Sequence, residues 1–544
     1  MRRFSLKSLT TSRFTTFQDL PHRSDRRFIS LSRSLKDKYR TSRHLQVILI
    51  SVFIFVNLIL YINRIPLFHE EPRRAIIAQE MILTGDYIIP KVYQEFYHKK
   101  PPLHNWLIAA VSIRDGIVSN FNARIVSVVS LLLVGITVYL LLLRISIGIA
   151  FVAFAISVTN YSMLYEYGNK AEPEILQVLF TWLAYFFYIK NPANLRYIAI
   201  SSVCMGLGIL TKGVSPLFFY PGLILHALLN PEIRIKRLKS LFFHLLLSSI
   251  LPLTWIVLYY FRTDSHSFIN GFLFEVGGRA KGNFKKFFSY LLIYPWEVLA
   301  ALLPWSLVLF FTFKKEKIKN EVYESSFLIF ASSFLIFMII AGSRSRHLMP
   351  AFPFFAVVAT FHINPQKPLN QTFSRLSFWI FSGVCLSAGI YFLRGSFYIN
   401  GAVFFLLAVI SGLISQRQYR ILDYILILSL LYLVAYENGI YYHRIKTRPD
   451  YKDTAGFLVK DLDKSKPIVI DNDVVPMRLA LDIERTIGKP VYSRRSANFD
   501  DYYLIMGPQS LNPYCRELSR VNSPKEILQG GSVSVAHCNK KSIP

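Results

Sequence analysis

Apolar residues fall along this chain in runs of about 20, the length a helix needs to cross a hydrocarbon core. The first is LQVILISVFIFVNLILYI at 45–62. Between the runs, polar residues gather in short dense clusters. The pattern predicts further helices over 124–143, 147–165, 174–189, 196–210, 214–229, 241–261, 290–313, 325–341, 347–361, 376–393, 399–414 and 421–436. That makes about 13 spans in all. Beyond 437 the pattern changes. Strand-like KPIVIDND and YYLIMG alternate with helix-like PMRLALDIER and PKEILQG, as in a small α/β domain. The predicted fold is a polytopic α-helical membrane protein. Residues 1–44 form a basic arm, 45–437 a multi-pass body with a large first outer loop at 63–123, and 438–544 an α/β domain outside the membrane.

Composition agrees with that pattern, since 53% hydrophobic and 15% aromatic residues exceed what a soluble core of this length requires. Charge adds an orientation. Segment 1–43 is rich in Arg, Ser and Thr and poor in acid. It is too long for the start of a cleaved signal peptide and suits a cytoplasmic arm drawn to anionic lipid, with nucleic-acid binding and a transit peptide as weaker readings. The net charge of +29 is spread over many loops, so it does not form one nucleic-acid face.

With the amino terminus inside, the basic loops NPEIRIKRLKS, KKEKIKNE and SQRQYR also fall inside, as the positive-inside rule asks. Segments 63–123, 166–173, 211–213, 262–289, 342–346 and everything after 437 then face outward. The expected location is an integral one in a membrane, with the amino terminus on the cytoplasmic side and the carboxyl-terminal domain outside. Outward Lys100, Arg279, Arg344 and Arg346 run against the orientation bias and invite a ligand. Cys515 and Cys538 lie in the outer domain, where an oxidising exterior permits a disulfide, and Cys204 and Cys385 read as packing residues.

Three outward clusters carry candidate chemistry. In FHEEPRRAIIAQEMILTGDY, Pro72 suits a first helical turn, Glu70 and Glu71 lie at the positive end, and Gly85 closes the helix. Ala75, Ile76, Ala78 and Ile82 can cover one face, so the plain reading is an amphipathic helix on the membrane surface. In YHKKPPLHNWL a double proline presents Lys99 and Lys100, either to a phosphate or to lipid headgroups, while His98 and His104 read as structural hydrogen-bonders. YGNKAEPEILQ puts Glu172 and Glu174 at another outer helix start, where a simple cap is the alternative. Two acidic helix starts on one side point to a shared polar cavity. Lys212 in LTKGVSP, Glu275 and Arg279 in FLFEVGGRAKGNF, and Arg344 and Arg346 in GSRSRHLMPAFP complete the set. Together the basic residues can neutralise a phosphate or diphosphate.

The order of these motifs resembles the polytopic GT-C glycosyltransferases that use polyprenyl-phosphate sugars. Specifically, it resembles the aminoarabinose-to-lipid-A transferase and the protein O-mannosyltransferase (glycosyltransferase family 39-like) relatives. EEPRRAIIAQEMILTGDYIIP leading to KKPPLHNW carries the resemblance, and Glu172-Pro173, LTKG at 210–213, LPWS at 303–306 and the Ser345–Pro353 run follow in order. It covers most of 45–360 and is topological beyond. Glu70 and Glu172 stand where the family usually has aspartate. Two positions that look like metal ligands in the lipid A enzyme correspond here to Lys99 and Val276, so the metal site is unknown, no cofactor is established and a divalent metal is left open.

The resemblance implies transfer of a sugar from a polyprenyl phosphate to a glycolipid, protein or glycan acceptor at the outer face, with inversion. It implies Glu70 and Glu172 as catalytic carboxylates, and Arg73, Lys100, Lys212, Arg279 and Arg346 as substrate-binding residues. Glu71, Lys99, Glu174, Glu275 and Arg344 are secondary candidates. Membrane lipids are partners and nucleic acid is not. A lipid or sugar transporter and a non-catalytic scaffold are the rival readings; the sequence lacks the internal repeat common in transporters.

Overall fold

The structure is a computed structural model that describes residues 44–59, 62–263, 284–312, 318–340, 343–363, 371–395, 397–436, 438–439, 450–507, 514–522 and 532–540. The described residues from 51 onward pack as one unit; of residues 1–50, the described stretch 44–50 is helical.

The first helices are α1 (His44–Ile59), α2 (Glu71–Thr84), α3 (Leu103–Ser112), α4 (Asn120–Leu142), α5 (Ile147–Thr159) and α6 (Glu174–Lys190). Next come α7 (Leu195–Lys212), α8 (Phe219–Leu229), α9 (Arg234–Tyr260), α10 (Phe284–Ala301), α11 (Trp305–Thr312) and α12 (Glu321–Ile339). The run continues with α13 (Ser345–Leu348), α14 (Phe352–His362), α15 (Gln371–Arg394), α16 (Tyr398–Ile414) and α17 (Ile421–Tyr436). Most of the expected helices are recovered within a few residues. The stretch expected as one helix over 290–313 is broken into α10 and α11 at Leu303-Pro304, where proline has no N–H to continue the ladder. Among the described residues α4, α7, α9, α12 and α15 are long and apolar enough to cross a membrane, and α1, α5 and α16 are shorter apolar helices.

Lipid gives helices no hydrophobic reason to associate, so close packing and buried polar contacts must do it. Gly222 of α8 lies against the backbone of Ile329 in α12, with no room for a side chain. His244 of α9 is held between Ser201 Oγ of α7 and Tyr220 OH of α8, each at 2.7 Å.

Helix α2 has the expected ends. Pro72 sits in its first turn, and Gly85 closes it in the left-handed region at φ 71°. Its expected place as an amphipathic helix on the membrane surface is corrected: α2 is buried nearly all round, Gln79 and Glu80 included. The reason is that its polar side has protein partners. Gln79 donates to the Gly116 carbonyl (3.0 Å) and accepts from Val118 N (2.8 Å), and Glu80 accepts from Gln94 N (3.1 Å) and Gln94 Nε2 (2.7 Å).

The carboxyl-terminal part carries helices α18 (Lys452–Val459) and α19 (Met477–Ile487). The segment between α2 and α3 contributes a two-stranded ribbon, β1 (Lys91–Val92) and β2 (Glu95–Phe96). Five strands then form one sheet: β3 (Ile468–Ile470), β4 (Tyr492–Ser493), β5 (Asp501–Met506), β6 (Cys515–Asn522) and β7 (Ser532–Asn539), in the order β4-β3-β5-β7-β6. β3 runs parallel to β4 and β5, and β7 runs antiparallel to β5 and β6. Cys515 and Cys538 face each other across β6 and β7 and are disulfide-bonded. The expected helix PKEILQG lies outside the described residues.

This sheet region docks on the segment 63–123. Ser493 N donates to the Tyr93 carbonyl (3.0 Å), and Arg485 of α19 donates to the Val118 carbonyl and Asn120 Oδ1. Two buried carboxyls meet there, Glu80 of α2 and Glu484 of α19. Burial pushes Glu80 up to about 7, against hydrogen bonds from Gln94 and Tyr93 and the charge of Lys91. Burial, then the Glu80 charge, pushes Glu484 well above the usual range despite a bond from Val491 N and the Arg485 charge.

A raised carboxyl binds its proton more tightly when folded, so its stabilisation is complete below the unfolded value and is lost as pH rises through the folded one. Raising the pH from about 5 to about 8 is therefore expected to loosen this contact. The protection of the Gln94 and Val491 amides, taken relative to the intrinsic exchange rate at each pH, should fall over that range, and Glu484→Gln should lessen the fall. Equal pH dependence in the variant and the parent would show that the pair does not govern docking.

Candidate active site

The starts of α2, α3 and α6 and the end of α7 converge with the short helix α13. Each brings a charge for a local reason. Glu70 is the residue before α2; its carboxylate pairs with Arg73 one turn on and lies 3.6 Å from Arg74 Nη2. Arg74 is buried, and its Nη2 donates to Tyr97 OH at 3.3 Å.

Glu71 is used differently. Its carboxylate takes a forked pair of bonds from Arg124 of α4, at 2.7 and 2.8 Å, and accepts Phe68 N and Ala171 N at 3.0 Å each. Arg124 spends its remaining donors on the carbonyls of Ile62, Ile65 and Pro66. These contacts hold the Glu71 carboxyl down at about 2: burial alone would raise it, and the Arg124 charge and bond, with the two backbone bonds, outweigh that. The pair ties the start of α2 to the segment carrying Glu172. Ser127 Oγ adds bonds to the carbonyls of Lys170 and Glu172.

Lys99 is exposed, whereas Lys100 turns inward ahead of the two prolines. Burial, then the charges of Arg74 and Lys212, pull the Lys100 ammonium down to about 7 against Glu174 and Glu172. Pro173 precedes α6 and sets Glu172 and Glu174 on either side of it, both buried. Burial, then the Glu174 charge, pushes Glu172 up to about 7. Glu174 Oε1 lies 2.8 Å from Lys212 Nζ, an ion pair between two buried side chains. Lys212 ends α7, and Gln177 of α6 receives Ser215 Oγ at 2.8 Å across that turn.

Arg346 reaches the same place. Its charge meets Glu174, Tyr167 and Glu172, with a side-chain hydrogen bond to Tyr167. Its neighbour Ser345 is fixed by Glu297, which accepts from Ser345 N (3.0 Å) and Oγ (3.1 Å).

The structure thus brings together Glu70, Arg73, Arg74 and Glu71 at the start of α2, and Lys100, Glu172, Glu174, Lys212 and Arg346 beside them. Lys99 and Arg344 stand exposed to one side, and Glu275 and Arg279 lie outside the described residues. Arg74, Tyr97, Arg124, Tyr167, His104 and Glu297 were not singled out as site residues by the sequence. Arg124 had a usable signal, since a charge inside an apolar run is rare and needs a partner. With Glu70 paired to Arg73 and Glu71 to Arg124, the rest of the cluster sets four cations, Arg74, Lys100, Lys212 and Arg346, against two carboxyls, Glu172 and Glu174, the first of them readily protonated. It suits an anion whose charge several donors can share, such as a phosphate.

Among the described residues no metal set accompanies it. The position that the resemblance offers as a ligand holds Lys99, an exposed cation, and Val276 lies outside the described residues. Among the described residues no three His, Cys, Asp or Glu side chains lie together as a metal site.

Comparison with known proteins agrees with the motif reading. Residues 99–260 match the family model for dolichyl-phosphate-mannose-protein mannosyltransferase. The crystal structure of ArnT from Cupriavidus metallidurans bound to undecaprenyl phosphate superposes with a TM-score of 0.72 at 16% identity, over 91% of this chain and 98% of that one. That likeness shows the fold, a GT-C membrane fold. Two uncharacterized proteins of Aquifex aeolicus are 24% and 23% identical, over 53% and 57% of this chain. The matches cover 58% and 70% of those relatives' own lengths. The resemblance to GT-C glycosyltransferases is upheld.

Proposed function

We propose that this GT-C-type chain is an integral membrane glycosyltransferase that moves a sugar from a polyprenyl-phosphate donor to a glycolipid, protein or glycan acceptor. The transfer takes place at the outer face of a bacterial inner membrane and inverts the anomeric centre. The observation that carries this reading is the gathering of Arg74, Lys100, Lys212 and Arg346 around Glu172 and Glu174. The arm at 1–44 lies inside, the body at 45–437 crosses the membrane about 13 times, and 438–544 lies outside.

In the reaction the bond from the anomeric carbon to the phosphate oxygen breaks, and polyprenyl phosphate leaves with the electron pair. An acceptor oxygen bonds to that carbon from the opposite side, so no second carboxylate is needed as nucleophile. Lys100 and Arg346 stabilise the charge that grows on the leaving phosphate, while its tail remains in lipid. Glu70, fixed by Arg73, orients the acceptor. Glu172 takes the acceptor proton, because a carboxyl with its pKa near 7 is matched to that task at neutral pH. A phosphate acceptor, as on lipid A, has no proton to remove, and Glu172 then acts by charge alone.

A pH profile follows. Glu172 works deprotonated and Lys100 protonated, and both titrate at about 7 in the free protein. A plot of kcat/KM against pH should be a narrow bell centred near 7. Bound phosphate favours the Lys100 cation, so the alkaline limb of kcat should lie at higher pH. Glu172→Gln should remove the acid limb; an unchanged acid limb in that variant would exclude Glu172 as the base.

The activity itself is tested by offering the purified protein labelled polyprenyl-phosphate sugars together with membrane extract. Label should leave the carrier lipid and appear in lipid A, protein or glycan, which identifies the acceptor. No transfer from any donor would favour a transporter or scaffold.

A further inference from the structure

His104 stands on the first turn of α3, just after the double proline, and its ring is 1% exposed. Both ring nitrogens are shut away from the surface with no hydrogen-bond partner among the described residues. The same holds for Arg74 Nε of α2 and Glu174 Oε2 of α6. These belong to one neighbourhood, because Arg74, Glu174 and Lys100 are the charges that act on the imidazole. Burial, then Arg74, holds the His104 pKa down at about 3 against the pull of Glu174, with Lys100 adding to the depression. The ring is therefore neutral, with one N–H to donate and one bare nitrogen to accept.

Buried polar atoms in folded proteins are almost always answered, and the mix of atoms says by what. A phosphate oxygen only accepts. It suits Lys100 and Arg346 but offers nothing to Glu174 Oε2 or to the bare nitrogen of His104. An ammonium suits Glu174 but is repelled by Arg74, Lys100 and Lys212. A hydroxyl donates and accepts without charge, and neighbouring hydroxyls on a ring can meet an imidazole, a carboxylate and a guanidinium N–H together.

We propose that His104, Glu174 and Arg74 form the subsite for the hydroxyls of the transferred sugar, beside the phosphate subsite of Lys100 and Arg346. This rests on the transferase reading above and extends it. The ligand class is an uncharged sugar with neighbouring free hydroxyls. His104 binds it and moves no proton.

The test measures binding of undecaprenyl phosphate, bare or bearing mannose, glucose or aminoarabinose, to the purified full chain. The readout is how much tighter the best sugar-bearing carrier binds than the bare one. That carrier should bear mannose or glucose. His104→Phe should cut this increment by about tenfold or more, with the affinity for bare carrier unchanged. His104→Gln should restore part of it, since an amide also donates and accepts.

Equal weakening of both ligands would assign His104 to the phosphate site or the fold. Weakening of neither would mean that water alone answers its nitrogens. Each result overturns the proposal, as does a parent chain with no sugar increment or one that favours aminoarabinose. A parent chain that binds no bare carrier overturns the transferase reading itself, so the two failures are distinguishable.

Discussion

Replacing Lys100 by alanine is expected to lower transfer by about a hundredfold to a thousandfold, the usual effect of removing one donor aimed at developing charge. The loss should fall on kcat as well as on kcat/KM, because the phosphate carries more charge when leaving than when esterified. Lys100 is suited to this role by its setting. Burial, Arg74 and Lys212 make its ammonium costly in the free protein, and an incoming phosphate relieves that cost. Removing it should leave the fold intact, since no structural ion pair depends on it among the described residues. Lys99→Ala serves as the control; its exposed side chain predicts near-normal transfer. Equal losses in both variants would indicate a general effect of loop charge, and normal turnover in Lys100→Ala would remove it from the site.

The second large effect concerns stability. Arg124→Ala leaves the Glu71 carboxylate buried without its cation, a change that typically costs about 3–5 kcal/mol. Three loop carbonyls lose their donor as well. A marked fall in the unfolding midpoint in detergent is expected, together with lost transfer, because the same pair tethers Ala171 beside Glu172. Arg124→Lys should recover little, since an ammonium cannot make the two-pronged contact. The pair also has a pH signature. The Glu71 carboxyl is held below its ordinary value of 4.5, at about 2, so its contribution is present above 4.5 and is lost as pH falls towards 2. An Arg124→Ala protein with an unchanged midpoint would contradict this reading.

These two residues show what the sequence could and could not reveal. Lys100 was legible because Pro101 and Pro102 fix the chain around it and because, with the amino terminus taken as inside, it runs against the positive-inside bias. The ends of α2 were legible for similar reasons, with Pro72 at one end and Gly85 at the other. Its surroundings were not. Gln79 and Glu80 look like a solvent face until Gly116, Val118 and Gln94 are brought to them from distant sequence.

Glu71 and Glu70 are adjacent and chemically identical, yet one is locked to Arg124 and the other is half-buried beside Arg73. Only the fold separates them. Arg124 was visible as a misplaced charge, but its partner was not. Glu174 and Lys212 likewise read as two helix ends rather than as one ion pair. Local punctuation is written in the order of residues, whereas pairing across helices depends on a topology that local pattern does not encode.

The central claim is that the cation cluster of Lys100, Lys212 and Arg346 holds the phosphate of a polyprenyl carrier at the reacting carbon. The most direct test is an experimental structure of the protein with a bound polyprenyl phosphate. The phosphate is predicted to lie within about 3 Å of Lys100 Nζ and an Arg346 guanidinium nitrogen, with Glu172 facing it. A phosphate bound elsewhere, for instance at the basic start of α9 around Lys236 and Arg237, with the Lys100 cluster untouched, would contradict the account.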